Sequence, residues 1–361
     1  MPVAFLSGAT GLIGGELCAL LAAQGWGVVA LARSETPFLA NDGSLIAADV
    51  YRGNAPGAGQ VLRVRGDIGQ PRCGLDNATV ARLGEQIGCV IHCAASTAFN
   101  AADEEYRRSN VAGTAHMLEI ATDRPFLHVS TAYVCGTRDG PIAETASAED
   151  AVFANGYERS KADAEALVAN SRRPWLIARP SVVVGAAKDG HIRRFDSIYG
   201  AFKLLAEGRV KVAPARPRAS FNLVPVDFVA TALAALAADT SNFSGEYVHL
   251  CARQALPVME FVDAIGAYPG LCVAKLVAPG DFDVDSLSRA ERMLIERVLS
   301  HYLPYFLRCP DFETGNAERL TGLHCPVVDR DIVHILIGYA IRAGFVRPPA
   351  IATERGQRMS G

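Results

Sequence analysis

A short apolar run, Val3-Ala4-Phe5-Leu6, leads directly into Ser7-Gly8-Ala9-Thr10-Gly11-Leu12-Ile13-Gly14, and a helix-like stretch from Glu16 to Ala22 follows. No other feature limits the architecture as strongly. Glycines spaced Gly8-x-x-Gly11-x-x-Gly14 permit a tight turn between a buried strand and a helix. They also let backbone N–H groups and the positive helix end approach a phosphate. Strand, glycine turn and helix, in that order, form the setting of a dinucleotide pyrophosphate site. The spacing differs from the commonest form, Gly-x-Gly-x-x-Gly.

Trp26 to Ala32 reads as the second strand and ends at Arg33. About twenty residues beyond such a glycine motif, a carboxylate would bind an adenosine ribose hydroxyl. A guanidinium suits a 2′-phosphate instead, so NADP is expected over NAD. Residues 35–60 show no strong period and are expected to form a loop with a poorly defined helix. Val61 to Arg65 alternates as a strand before Gly66-Asp67-Ile68, and Cys89 to Ala95 is a fourth strand with its exit. A helical stretch opens at Asn110. Pro125 to Val129 is a fifth strand, followed by the hydroxyls of Ser130 and Thr131, and Pro174 to Pro180 is a sixth. Alternating strands and helices predict an α/β fold with a largely parallel sheet. Beyond it, residues 185–220 are basic and irregular. Asn222 to Ala230 turns into an apolar helix, and Gly245 to Leu250 is a last strand. From 256 onward the pattern is mostly helical, with loops near Pro279-Gly280 and Pro304-Tyr305.

Between the fifth and sixth strands lies Gly156-Tyr157-Glu158-Arg159-Ser160-Lys161. On a helix, Tyr157 and Lys161 share one face. An ammonium near a phenol favours the phenolate and pulls its pKa down from about 10. The pair is therefore a candidate acid/base group for work near neutrality. Tyr-x-x-x-Lys is common by chance, and the ordered motifs around it give the spacing its weight.

Composition excludes several classes. Half of the 361 residues are hydrophobic and a fifth are charged, which fits a folded chain with a sizeable core. A net charge of −3 argues against nucleic acid as the main partner. Nine cysteines without a C-x-x-C pair fit a reducing compartment, so the chain is expected to be cytoplasmic. Cys89, His92 and Cys93 lie in an apolar strand and read as core, so no metal site is expected. The start lacks the basic and small-residue pattern of a signal peptide. No apolar run reaches bilayer length, since His334 and Arg342 interrupt the longest.

Gly8-x-x-Gly11-x-x-Gly14, Gly66-Asp67-Ile68, His92-Cys93-Ala94-Ala95, Tyr157-x-x-x-Lys161 and Arg179-Pro180 occur in the order of the extended short-chain dehydrogenase/reductases, which the chain resembles over residues 1 to about 250. Within that group it is similar to the fatty acyl-CoA reductases and thioester-reductase domains. Cys73-Gly74-Leu75, Val90 to Phe99, His128 to Val134, Arg179 to Gly185 and Leu223 to Asp227 carry this likeness, with a short further match at Phe312 to Asn316.

The resemblance implies a Rossmann-like, doubly wound parallel sheet with a smaller, mainly helical substrate-binding region. Residues 1–184, completed by about 222–250, would bind NADP; 185–221 and 251–350 would bind substrate. Gly8, Gly11 and Gly14 would hold the pyrophosphate, with Thr10, Leu12 and Ile13 lining the turn. Arg33 would meet the 2′-phosphate, while Asp67 and Ile68 would stand at the adenine and Ala94 and Ala95 under the cofactor. Tyr157 and Lys161 would face the nicotinamide ribose, and Pro180, Ser181 and Val182 its carboxamide through the backbone. Thr131 aligns with the catalytic hydroxyl, Ser130 stands beside it, and Asn110 matches a supporting helix position. The implied reaction is NADPH-dependent reduction of an acyl thioester, on coenzyme A or an acyl-carrier protein, to aldehyde or, with a second hydride, to alcohol. Arg193, Arg194, Arg216 and Arg218 would meet phosphates of the thiol carrier or form a solvated basic loop. A ketone or aldehyde reductase, a nucleotide-sugar epimerase or dehydratase, and a non-catalytic dinucleotide-binding protein remain alternatives. A homodimer is left open.

Overall fold

The computed structural model describes residues 2–98 and 101–348. Met1, Phe99 of the strand-exit motif and the last two positions of the expected 251–350 region lie outside them. The main sheet has eight strands: β1 (Val3–Ser7), β2 (Gly27–Ala32), β3 (Asp49–Val50), β4 (Val61–Arg65), β5 (Cys89–His92), β6 (Phe126–Val129), β7 (Trp175–Pro180) and β8 (Glu246–Leu250). Their order is β8-β7-β6-β5-β1-β2-β4-β3, with every neighbouring pair parallel. Strand order reverses at β1, because β2 pairs on one side of it and β5 on the other. Ser7, the last residue of β1, faces Leu31 and His92 across the two pairings. A crevice at the carboxyl ends of such strands is where open α/β sheets take ligands.

The apolar period explains why both faces are covered. Along β1, Ala4 and Leu6 join one core and Val3 and Phe5 the other; β2 splits Val28, Ala30 and Ala32 from Val29 and Leu31. The first core is completed by helix Leu12–Ala23, through Leu17 and Leu21, and by helix Val226–Ala238, through Val229 and Leu233. The opposite core takes Leu83, Met117, Ile120 and Val168 from three other helices. Strands buried on both faces read as continuous apolar runs, as these do.

A third core gathers residues from 132–142, 182–225 and 251–346. Short parallel pairings bind it together: Val182–Val184 with Leu223–Pro225, Gly140–Ile142 with Pro310–Phe312, and Val212–Pro214 with Lys275–Val277.

The structure corrects four local expectations. Residues 35–60 hold no helix; Phe38–Leu39 and Leu45–Ile46 form a hairpin, and Asp49–Val50 joins the sheet edge. Phe38 is buried there with the Arg63 guanidinium 4.2 Å above its ring. Helix Asn77–Gln86, capped by Asp76 through the Thr79 N–H at 2.7 Å, was not apparent in the sequence. The basic stretch 185–220 contains helix Tyr199–Ala206, whose residues are buried around most of its circumference and therefore show weak periodicity. Leu303–Phe306 is a helical turn where a loop was expected. Pro304 falls in its first turn, where proline is tolerated.

Candidate active site

Backbone geometry builds the floor of the crevice. Gly8 has φ +85°, and a Cβ there would lie 2.7 Å from the Ala94 nitrogen at the exit of β5. A Cβ on Gly14 would stand 2.2 Å from the Gly8 carbonyl oxygen. Glycine at both positions keeps a cradle open that any side chain would close. The Gly11 N–H donates to the Gly8 carbonyl at 2.8 Å, which closes the turn. Helix Leu12–Ala23 then begins with no side-chain cap and no acid in its first turn, an N-terminus suited to an anion. The buried Ser7 hydroxyl accepts the Ala94 N–H at 3.3 Å and meets His92 Nδ1 at 2.7 Å, joining the carboxyl ends of β1 and β5. These residues fit a dinucleotide pyrophosphate.

The residues expected at the adenosine lie at the ends of β2 and β4. Asp67 Oδ1 accepts the Gly69 N–H at 2.9 Å, and the Ile68 carbonyl meets His116 Nδ1 at 2.7 Å. Arg33 is exposed and reaches the electrostatic neighbourhood of Glu105, whose carboxyl is held low by the Ser109 hydroxyl and by Arg108. The Arg108 side chain lies 3.3 Å from where a Gly69 Cβ would stand. The structure thus brings Arg108, which the sequence did not single out, next to Asp67, and both Arg108 and Arg33 act on Glu105. Its spacing from Glu105, i to i+3 on one helix, was the available signal.

The catalytic side is held by side chains. Helix Gly156–Ala169 starts at Asn155, whose Oδ1 accepts the Glu158 N–H at 2.9 Å. Lys161 is almost fully buried and donates to the carbonyl of Val129, the last residue of β6, at 2.8 Å. Its ammonium is therefore fixed at the residue before Ser130 and Thr131. His128 Nε2 lies 3.2 Å from the same nitrogen. Burial lowers the Lys161 pKa to about 8, opposed by Glu165. Burial and then Lys161 hold His128 well below its ordinary value, so it is a neutral acceptor for the ammonium. His92, whose ring centroid is 5.3 Å from that of His128, is pushed down to about 3 by the same two causes. The Thr131 Oγ1 accepts the Tyr133 N–H at 3.3 Å, and the buried Ser130 hydroxyl has no hydrogen-bond partner among the described residues.

The phenol departs from expectation. Tyr157 is half-buried, and burial, followed by Glu158, Cys93 and Tyr106, raises its pKa instead of lowering it. Lys161, which was expected to lower that value, is engaged with Val129 and His128. Tyr157 is consequently a protonated donor at neutral pH.

Asn110 unites the two sides. It lies in a π-helical turn, Arg107–Ala112, a distortion that re-aims side chains. Its Oδ1 accepts the Ser96 N–H at 2.7 Å, and its Nδ2 donates to the Ser96 carbonyl at 3.1 Å and to the Ser160 hydroxyl at 2.8 Å. The exit of β5 is thereby tied to the helix of Tyr157 and Lys161. At β7, Ser181 and Val182 spend their N–H groups on the Leu250 and Asn222 carbonyls. With Pro180 lacking an N–H, a backbone contact to the carboxamide would come from carbonyl oxygens, and the buried Ser181 hydroxyl is a further polar group there.

Two buried ion pairs hold that helix. Glu165 takes Arg179 in a fork at 2.9 and 2.7 Å, and Glu158 takes Arg308 at 2.7 Å. Arg308 also stacks on Tyr133 and Tyr305, at 4.4 and 4.6 Å. The Glu165 pairing has a faint sequence signal, four residues beyond Lys161; Arg308 has none. The Phe312 to Asn316 match has a structural role: the Asn316 N–H donates to Glu144 Oε2 at 2.7 Å while the His249 N–H donates to its Oε1 at 2.7 Å. Burial raises Glu144 to about 7. The four arginines of the basic stretch do not form one patch. Arg193 folds onto the glycine turn, Arg194 pairs with Asp196, Arg216 with Asp139, and Arg218 is exposed. Among the described residues no cluster of potential ligands forms a metal site, and no helix is long and apolar enough to cross a membrane.

Comparison with known proteins places the chain in a family. A family model described as "Male sterility protein" matches residues 6–233. The non-canonical nonribosomal peptide synthetase cpsA of Aspergillus campestris is 26% identical over 91% of this chain, which spans 35% of its length. Fatty acyl-CoA reductase 1 of Gallus gallus is 28% identical over 47% of this chain and 40% of its own. Among solved structures, the terminal R domain from the myxalamid PKS-NRPS biosynthetic pathway has a TM-score of 0.80 at 27% identity. That likeness covers 97% of this chain and 92% of the R domain.

Proposed function

Since the chain belongs to the male sterility protein family, extended short-chain reductases that bind NAD(P), we propose that it uses NADPH to reduce an acyl thioester, carried on coenzyme A or a carrier protein, to an aldehyde or, with a second hydride, to an alcohol. The observation that carries this reading is the likeness to a terminal R domain over nearly the whole of both chains. The dinucleotide, when bound, supplies hydride. Gly8, Gly11 and Gly14 would hold its pyrophosphate, and Arg33 its 2′-phosphate.

Tyr157, a phenol protonated at neutral pH whose pKa burial raises further, would donate a hydrogen bond to the oxygen that gains charge at the thioester carbonyl. Thr131 is the second donor in this reading, and Ser130 the adjacent hydroxyl. Lys161 would hold the nicotinamide ribose with an ammonium already oriented by Val129 and His128, a preorganised positive charge. Asn110 keeps the two walls in register. Collapse of the hemithioacetal would release the thiol and leave the aldehyde.

Purified chain with NADPH and a panel of acyl-CoA and acyl-carrier thioesters should consume NADPH and yield aldehyde or alcohol identified by mass. No turnover across that panel, with turnover of free ketones or nucleotide sugars, would overturn the thioester reading. The same panel run with NADH tests the cofactor preference, which should favour NADPH and shrink in Arg33→Ala.

A further inference from the structure

Arg193 reaches across from the segment that follows strand Val182–Val184 and lies against the glycine turn. Its Nη2 donates to the Gly11 carbonyl at 2.8 Å and to the Thr10 carbonyl at 3.4 Å. Its Nε is buried with no hydrogen-bond partner, and no carboxylate pairs with it among the described residues. The placement is enforced by its neighbours. Asn41 Oδ1 accepts the Arg193 N–H at 3.1 Å, Asn41 Nδ2 donates to the His191 carbonyl at 2.8 Å, and the Asn41 N–H donates to Glu16 Oε2 at 2.6 Å. Segment 191–193 is thereby stitched to the first helix and to the loop after β2.

A half-buried guanidinium with only carbonyl acceptors is costly unless an anion answers it. Burial and the adjacent Arg194 both lower its pKa, against Asp196. The place it occupies is the turn whose free helix N-terminus suits a phosphate. Arginine carries five donors in a fixed fork, and the bonds to Thr10 and Gly11 use only Nη2.

We propose that Arg193 is a dinucleotide-binding residue, the cation that faces the pyrophosphate from the substrate-binding side and fastens that region over the bound dinucleotide. The proposal needs only the dinucleotide binding of the family and stands apart from the thioester reading. Its contribution is common to NADPH and NADH, unlike that of Arg33.

The test is direct binding, without turnover. Titrations of the full chain with NADPH, NADH, ADP-ribose and adenosine 2′-monophosphate are compared for wild type, Arg193→Ala, Arg193→Gln and Arg33→Ala. Loss of a charge-assisted contact predicts that both Arg193 variants bind the three pyrophosphate ligands roughly tenfold or more weakly. Adenosine 2′-monophosphate should bind them as it binds wild type, whereas Arg33→Ala should lose it. Glutamine keeps a donor for the Gly11 carbonyl, so it separates charge from tethering where alanine lowers the melting temperature. In wild type, NADPH should slow amide exchange in segment 190–195. Unchanged pyrophosphate-ligand affinity in Arg193→Gln, a loss confined to the 2′-phosphate ligands, or no protection of that segment would each overturn the proposal.

Discussion

The glycine turn and the helix that carries Tyr157 and Lys161 stand at the same edge of the sheet but are built by different means. The turn is a local object: backbone conformation at Gly8, the Gly11 N–H and the missing side chain of Gly14 make it, within seven consecutive residues. Helix Gly156–Ala169 is local in its first turn, where Asn155 caps it, the Ala154 N–H reaches Glu158 and the Ser160 hydroxyl donates to the Tyr157 carbonyl. Its polar groups are satisfied from far away, by Val129 and His128 at Lys161, Asn110 at Ser160, Arg179 at Glu165 and Arg308 at Glu158. A backbone cradle tolerates little change at its glycines and makes few demands elsewhere. A helix bearing buried charges depends on partners spread over much of the chain, because each charge left unpaired in a low-dielectric interior is expensive.

Removing the phenol tests whether the helix side does chemistry while the turn does binding. Tyr157→Phe should lower kcat by roughly 10²–10⁴-fold, as loss of a general acid does, with dinucleotide affinity within about twofold of wild type. A matching loss of binding would show that the two sides are not separable. Next in size, Arg308→Met leaves Glu158 buried without its partner and should cost about 3–5 kcal/mol of stability in denaturant unfolding. Restoring part of that loss by adding Glu158→Gln would identify the stranded charge as the cause; equal instability in the double variant would point to lost packing on Tyr133 and Tyr305.

Gly14→Ala probes the turn. Its Cβ would meet the Gly8 carbonyl at 2.2 Å and force the turn's backbone to move, so dinucleotide affinity should fall by roughly tenfold or more and the folded state should lose about 1–3 kcal/mol, less than Arg308→Met costs. A large fall in stability with intact binding would remove the distinction between a local turn and a dependent helix. The smallest effect concerns pH. Lys161 is protonated below about 8, so kcat/KM should fall as pH rises through that value. His128→Phe deletes a neutral acceptor of the ammonium, which disfavours the charged form, and should move that limb to lower pH by under about one unit. A limb that stays in place, or moves upward, would show that His128 does not steady the charge.

Legibility followed the same division. The strand-turn-helix at the start, most of the parallel strands and the Tyr157–Lys161 face were readable because short-range periodicity and glycine spacing encode them. Asp49–Val50 and helix Tyr199–Ala206 were not, since an edge strand of two residues and a helix buried on most sides leave no clear period. The Tyr157 pKa was misjudged in direction because adjacency to Lys161 on the helix said nothing about burial or about where the ammonium would point.

The sequence by itself determined the class of molecule: a doubly wound α/β fold, a glycine turn for a dinucleotide, and a tyrosine and lysine on one helical face. Each depends on residues close together in the chain, where backbone sterics and helical spacing act directly. Tertiary structure alone decided that Arg108 stands beside Asp67, that Arg308 answers Glu158, that Arg193 lies on the glycine turn and that the Tyr157 pKa moves up and not down. Those outcomes depend on which charges meet when water is excluded, and burial sets their energies more strongly than sequence separation does.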